Sequence, residues 1–309
     1  MDFRRRILAC FFLVAIFVSL WGCEAVTPDP EVGESVPSSS ASLLSRPSRP
    51  PETILTTVPT VPTIPTAPSV PPVPEKETPT LLSFLKNAML PVGQTMYVWG
   101  GGWNEEDTGA GIDAVTIGLN PQWAAFAAQQ DSSYNFENHR FQIHDGLDCS
   151  GYVGWAVYNT LETENGREGY VYKATKMAQS LADRGLGEYI PAEDLTDYQP
   201  GDILSMPGHI WICIGRCADG SILLVHSRGA GVGIYGTRLP DGRQSDAIRL
   251  ARSVMQEHFP DWNARYPAIT AAYSYHQLSS AMRWSDDVLR DTENIKNMTA
   301  AEIIQLLFA

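Results

Sequence analysis

Hydrophobic and polar positions divide the chain into three stretches of different order. The first is an apolar run over 7–20 behind Arg4, Arg5 and Arg6. At about 14 residues it falls short of the ~20 that cross a bilayer, and with its basic flank it predicts a secretory signal over 1–22. The second stretch has no period: 14 of the chain's 22 Pro lie between Glu24 and Thr80, interleaved with Ser, Thr and Val. Such a composition buries too little apolar surface to offset its ordering entropy, so 23–80 is expected to be a disordered tether. Pro-rich chain extends toward ~3.1 Å per residue, which gives this segment a reach on the order of 100 Å. The third stretch, 81–309, carries helical and strand periods and is where a core can form.

Within it, Leu81, Leu82, Phe84, Leu85, Ala88 and Met89 recur at helical spacing before Pro91. A strand is expected over 95–99, a helix over 121–130 and a helix over 153–161 whose first turn begins near Cys149. A further helix over 173–183 should end at Gly185. Strand-like runs follow at 203–205, 210–216, 222–226 and 232–235, and the tail returns to helix at 245–259 and 299–308 around a strand at 278–284. One helix ahead of a meander predicts an α+β domain over 81–309. It carries an insertion at 102–147 and a C-terminal helical extension at 245–309. No internal repeat is present.

The chemistry starts at Leu147-Asp148-Cys149-Ser150-Gly151-Tyr152. A Cys in the first turn of a helix sits among orphan backbone N–H groups at the positive end of the dipole, which favours thiolate over thiol. Asp148 stands where it can cap that helix.

Charge narrows the function classes. The chain has 22 Lys and Arg against 35 Asp and Glu, a net charge of −13, and the part after Gly22 is more acidic still at −15. That balance argues against nucleic acid, anionic membrane surfaces or anionic wall polymers bound through a basic patch. The hydrophobic fraction of 44% suffices for a sizeable core. Of the five Cys, Cys213 and Cys217 lie too close along one predicted strand to read as a disulfide framework, so a free functional thiol fits an exported protein.

Several motifs in order carry a resemblance. Tyr97-Val98-Trp99-Gly100-Gly101, the Asp148-Cys149-Ser150-Gly151 run, Pro200-Gly201-Asp202-Ile203, and then His209-Ile210-Trp211-Ile212 and Val225-His226-Ser227 resemble the NlpC/P60 family of papain-like cysteine peptidases, over roughly 81–237. The resemblance implies a papain-like fold with the nucleophile helix packed on an antiparallel sheet, and extra C-terminal helices here. It also implies a cell-wall hydrolase acting on peptidoglycan stem peptides at the γ-D-glutamyl bond to a diamino acid. Cys149 would be the nucleophile, His209 the base and His226 the third member. Tyr97, Asp148 and Ser150 would line the subsite for the substrate's free amino end. No cofactor and no metal are expected. Leu20-Trp21-Gly22-Cys23 resembles a bacterial lipobox, implying a lipid on Cys23, extracytoplasmic anchoring as a lipoprotein, and contact with the membrane only through that lipid.

Residue chemistry supports the same roles. His is the side chain whose unperturbed pKa suits taking a proton from Cys149 and holding the thiolate as an ion pair, and His209 follows the turn Pro207-Gly208 at the mouth of a strand. Register tests His226. A four-residue loop, Cys217-Ala218-Asp219-Gly220, pairs Arg216 with Ser221 and hence Trp211 with His226, bringing His226 diagonal to His209 on one face. A three-residue loop would turn His226 to the opposite face. Zinc held by His209, Cys213, Cys217 and His226 is the weaker alternative, since the spacing matches no compact C-x-x-C knuckle. A non-catalytic wall-binding lipoprotein, or an amidase or acyltransferase on the same scaffold, are the alternative functions. The insertion over 102–147, rich in Trp, Phe and Tyr, is expected to form a wall or lid on the cleft; a buttress behind the nucleophile helix is the other possibility.

Overall fold

The structure is a computed structural model that describes residues 78–162 and 168–309. The expected signal over 1–22, the lipidation of Cys23 and the tether up to residue 77 lie outside the described residues. Among the described residues no helix is long and apolar enough to cross a membrane.

The class is α+β. Among the described residues the α-helices are α1 (Leu81–Met89), α2 (Pro121–Ala128), α3 (Cys149–Leu161), α4 (Met177–Asp183), α5 (Asp246–His258), α6 (Pro260–Arg265), α7 (Ser274–Leu278) and α8 (Ala300–Leu307). The strands among them are β1 (Gly187–Ile190), β2 (Ile203–Met206), β3 (His209–Arg216), β4 (Ile222–Arg228), β5 (Gly231–Thr237), β6 (Thr270–Ala271) and β7 (Ser280–Trp284). They form one sheet in the order β1-β7-β2-β3-β4-β5-β6, antiparallel throughout except for β5 with β6.

The sheet is buried on both faces, and the period-2 alternation of its strands decides what each face meets. Ile210, Ile212, Leu223 and Val225 join α1, α3 and α5 in the larger core, with Tyr152, Trp155 and Tyr158 of α3 fully covered. Trp211, Cys213, Leu224 and Ala281 point the other way, into a second core with Leu195, Tyr198 and Tyr275. Strand β7 sits between β1 and β2, so the stretch over 245–309 is woven into the sheet and is no helical appendage.

Two expectations change. The segment over 95–99 is not a strand; Met96 makes only isolated bridges, to Gly146 and to Gly231. Gly100 and Gly102 at φ of +81° and +90° turn the chain away before a ladder can extend. The β3–β4 turn has three loop residues, not four: Cys217 N–H donates to the Ser221 carbonyl at 2.8 Å, Gly220 takes φ of +81°, and Arg216 pairs with Ile222. A β-bulge between Cys213 and Gly215 then shifts the register back, so that Ile212 pairs with Val225. Carried one residue further, that register sets Trp211 against His226, the expected pairing reached by another route.

Candidate active site

Close backbone approach builds the site. A Cβ on Gly151 would run into the Gly101 carbonyl oxygen, and one on Gly102 would stand 2.5 Å from the Gly151 Cα. The glycines after Trp99 and the glycine after Ser150 therefore let one loop lie directly on the first turn of α3. Asp148 N–H donates to the Gly101 carbonyl at 3.0 Å, locking the two segments together. Cys149 is the first residue of α3, as expected, with Asp148 as N-cap accepting from the Gly151 N–H at 2.7 Å.

Asp148 and Ser150 have a structural part to play besides any contact with substrate. Ser150 Oγ donates to Asp148 Oδ1 at 2.9 Å and accepts from Trp103 Nε1 at 3.0 Å, so its lone proton is committed within the protein. Burial pushes the Asp148 carboxyl up to about 6, opposed by donors from Gly151, Ser150 and Gly100. Tyr97 is buried; its ring meets Phe136 edge-on at 5.0 Å and its carbonyl accepts from the Tyr134 hydroxyl at 2.7 Å.

His209 and His226 do meet. His209 Nε2 lies 2.8 Å from His226 Nδ1, which leaves the other His209 ring nitrogen, Nδ1, uncommitted to this pair. His226 is fully buried and its Nε2 has no hydrogen-bond partner. Burial first, and the Arg228 guanidinium second, push His209 down to about 3; burial, His209 and Arg228 together push His226 well below its usual range. Both rings are therefore neutral at pH 7. The expected thiolate–imidazolium pair would place a charge that this burial opposes.

Two links carry the His pair toward Cys149. Ser227, next to His226, donates to the Leu147 carbonyl at 2.6 Å, tying β4 to the approach of α3. Tyr275 of α7 is the second: its ring centroid is 5.8 Å from His209 and 5.9 Å from His226, and its phenol lies within electrostatic reach of the Cys149 sulfur. Cys149 itself is only 2% exposed. The first turn of α3, the His pair and Tyr275 thus form one neighbourhood at the end of the sheet.

Sequence reasoning missed Tyr275 and Arg228. Arg228 had a signal, since it follows His226 by two residues on a strand and so shares its face. Tyr275 had none, because only the folded sheet brings α7 to β3 and β4.

The insertion divides in two. Its first half is a buttress: Trp123 packs edge-on against Trp155 of α3 at 5.9 Å, and Gly118 N–H donates to Asn159 Oδ1 at 2.6 Å. Its second half stands by the glycine loop, where Phe136 stacks on Trp99 at 6.4 Å and Arg140 covers the same indole at 4.8 Å. A wall on the cleft is thus compatible with the second half alone.

The zinc alternative gains nothing: Cys213 is buried in the second core, and among the described residues no group of three or more His, Cys, Asp or Glu is placed to hold a metal. Two surface cavities, of about 210 and 400 Å³, lie beside Tyr273 and His276 and beside Arg216 and Lys296, and Cys149 lines neither. No family model, no curated protein and no solved structure matches the chain.

Proposed function

We propose that the chain is a cysteine peptidase of NlpC/P60 type with a papain-like catalytic arrangement. It cleaves peptidoglycan stem peptides at a γ-D-glutamyl bond, outside the cytoplasm and held to the membrane by a lipid on Cys23. The observation that carries the reading is the 2.8 Å contact of His209 Nε2 with His226 Nδ1, set beside a Cys at the first position of a capped helix. The contact fixes the His209 ring and keeps Nδ1 as the nitrogen for the nucleophile.

In this reading the resting pair is thiol and neutral imidazole. The Cys149 proton passes to His209 as sulfur attacks the carbonyl carbon, and His209 returns that proton to the leaving amine as the C–N bond breaks. Water, activated by the again neutral His209, then attacks the thioester and releases the acid and the thiol. The Cys149 N–H, in the first turn of α3 at the positive end of the helix dipole, is a donor for the oxyanion. Asp148, ionised at pH 7, attracts the substrate's free ammonium group from beneath the first turn of α3.

Purified protein incubated with peptidoglycan, and the products identified by mass spectrometry, tests the reading. Fragments ending in D-glutamate, absent with Cys149→Ala, support it. A second reading, a wall-binding lipoprotein without activity, is favoured by the 2% exposure of Cys149. It requires wall binding with no fragments from either protein.

A further inference from the structure

Arg228 is an exposed cation beside buried groups that disfavour charge. It lies at the C-terminal end of β4, on the face of His226, and the register that pairs Ile212 with Val225 carries it opposite His209. Its Nη1 donates to the Tyr275 hydroxyl in a long 3.4 Å bond. Among the described residues no carboxylate forms a salt bridge with it, although the chain holds 35 acidic residues against 22 basic ones. Arg216, Arg249 and Arg283 each have an Asp partner, whereas Arg238, Arg252, Arg265 and Arg290 share the lack of one among the described residues; what sets Arg228 apart is its place beside Tyr275 and the His pair. A guanidinium without an acid, held by a neutral phenol beside the His pair, is placed to receive an anion from outside.

Resting on the peptidase reading above, we infer that Arg228, steered by the Tyr275 hydroxyl, binds a carboxylate on the residue that carries the leaving amine. His209 delivers its proton to that amine, so the residue bearing it lies on the His209 side of the scissile bond, where Arg228 stands. Asp148 caps the helix that Cys149 opens, and in this reading meets the substrate's amino end. A site with an acid toward the amino end and a guanidinium just past the cleaved bond selects short peptides with a free terminal carboxylate one residue beyond it. Longer or amidated stems lack that group. The substrate class is therefore released tripeptide-sized fragments in preference to stems still extended in the wall. Tyr275, which stays protonated with its pKa raised by burial to about 12, accepts from Arg228 and orients it without adding charge.

Three synthetic peptides test this with the purified protein: L-alanyl-γ-D-glutamyl-L-lysine, the same peptide with a C-terminal carboxamide, and the same peptide with the D-glutamyl α-carboxyl amidated. The wild type should cleave the C-terminal carboxamide with kcat/KM lower by roughly 10-fold or more, chiefly through KM, the range of a charge-assisted hydrogen bond. Arg228→Gln should bring the ratio of free acid to carboxamide near one, and Arg228→Lys should keep part of it. A wild-type ratio of one, an unchanged ratio in Arg228→Gln, or a preference that follows only the D-glutamyl carboxyl overturns the inference. Should Arg228→Gln be inactive on all three, Tyr275→Phe decides: its ratio must fall, and an unchanged ratio overturns the assignment. Failure of the wild type to cleave any of the peptides defeats the peptidase reading itself, and the inference with it.

Discussion

His209 and His226 share a hydrogen bond of 2.8 Å between Nε2 and Nδ1 although each ring is held neutral by burial. One of the two nitrogens must carry the proton. For His209 Nδ1 to accept a proton from Cys149, Nε2 has to be the donor and His226 Nδ1 the acceptor. That choice leaves the buried His226 Nε2 as an N–H without a partner, consistent with its unsatisfied state. His226 is then a positioning residue that sets the tautomer of the base.

His226→Ala should lower kcat by about 10²-fold or more while KM changes little, because general base catalysis depends on the orientation of His209. His226→Gln, which can still accept a hydrogen bond, should recover part of the loss. Steady-state kinetics of the two variants check this; equal kcat in wild type and His226→Ala would remove His226 from the mechanism.

The β3–β4 hairpin shows how much of this pair was legible beforehand. The facing of His209 and His226 was expected from a four-residue loop; the loop is one residue shorter, which alone would turn His226 away, and a bulge that strand alternation does not reveal restores the register. The sequence did hold a hint of the bulge in Gly215, where a Cβ would stand 3.0 Å from the Ala300 Cα of α8. Interpreting that glycine requires knowing that α8 packs there, which is a long-range fact. Asp148 as helix cap and Cys149 in the first turn were local features, and local chemistry sufficed for them. The place of β7 in the middle of the sheet, and of Tyr275 beside the His pair, depends on pairing between segments far apart in the chain, which no local pattern encodes.

Thiol labelling separates activation from exposure. Burial pushes Cys217 up to about 11 and Cys213 well above its usual range, so neither offers much thiolate at pH 7. Iodoacetamide should modify Cys149 first, because His209 can take its proton as the sulfur attacks, even though Cys217 is more exposed. Peptide mapping of the alkylated protein over time reads the order. Modification of Cys217 ahead of Cys149 would contradict an activated nucleophile.

The pH dependence of kcat/KM should show an acidic limb set by Asp148. Burial raises its carboxyl to about 6, so the carboxylate that attracts the substrate ammonium is lost as pH falls through that value. His209, pushed down to about 3, stays a neutral base across the same range and does not set the limb. KM should rise below the limb, and Asp148→Asn, which keeps a capping side chain, should flatten it while raising KM at higher pH. A limb near the same pH in Asp148→Asn would assign it to another group.

Trp123 tests the buttress half of the insertion. It is 1% exposed and packs on Trp155 of α3, so Trp123→Ala should destabilise the fold by about 3–5 kcal/mol, the range for deleting a buried Trp. Denaturant unfolding measures the change. A loss within ~0.5 kcal/mol, the range of an ordinary surface substitution, would show that the segment does not support the nucleophile helix.

The most direct measurement is the mass of the covalent intermediate. Wild-type protein mixed with L-alanyl-γ-D-glutamyl-L-lysine, quenched in acid within its first turnovers and digested, should yield the Cys149 peptide carrying an alanyl-glutamyl thioester, with free lysine released in step. Cys149→Ala should give neither adduct nor lysine. Lysine released by Cys149→Ala at the wild-type rate, or no release by the wild type at all, would contradict a Cys149 peptidase.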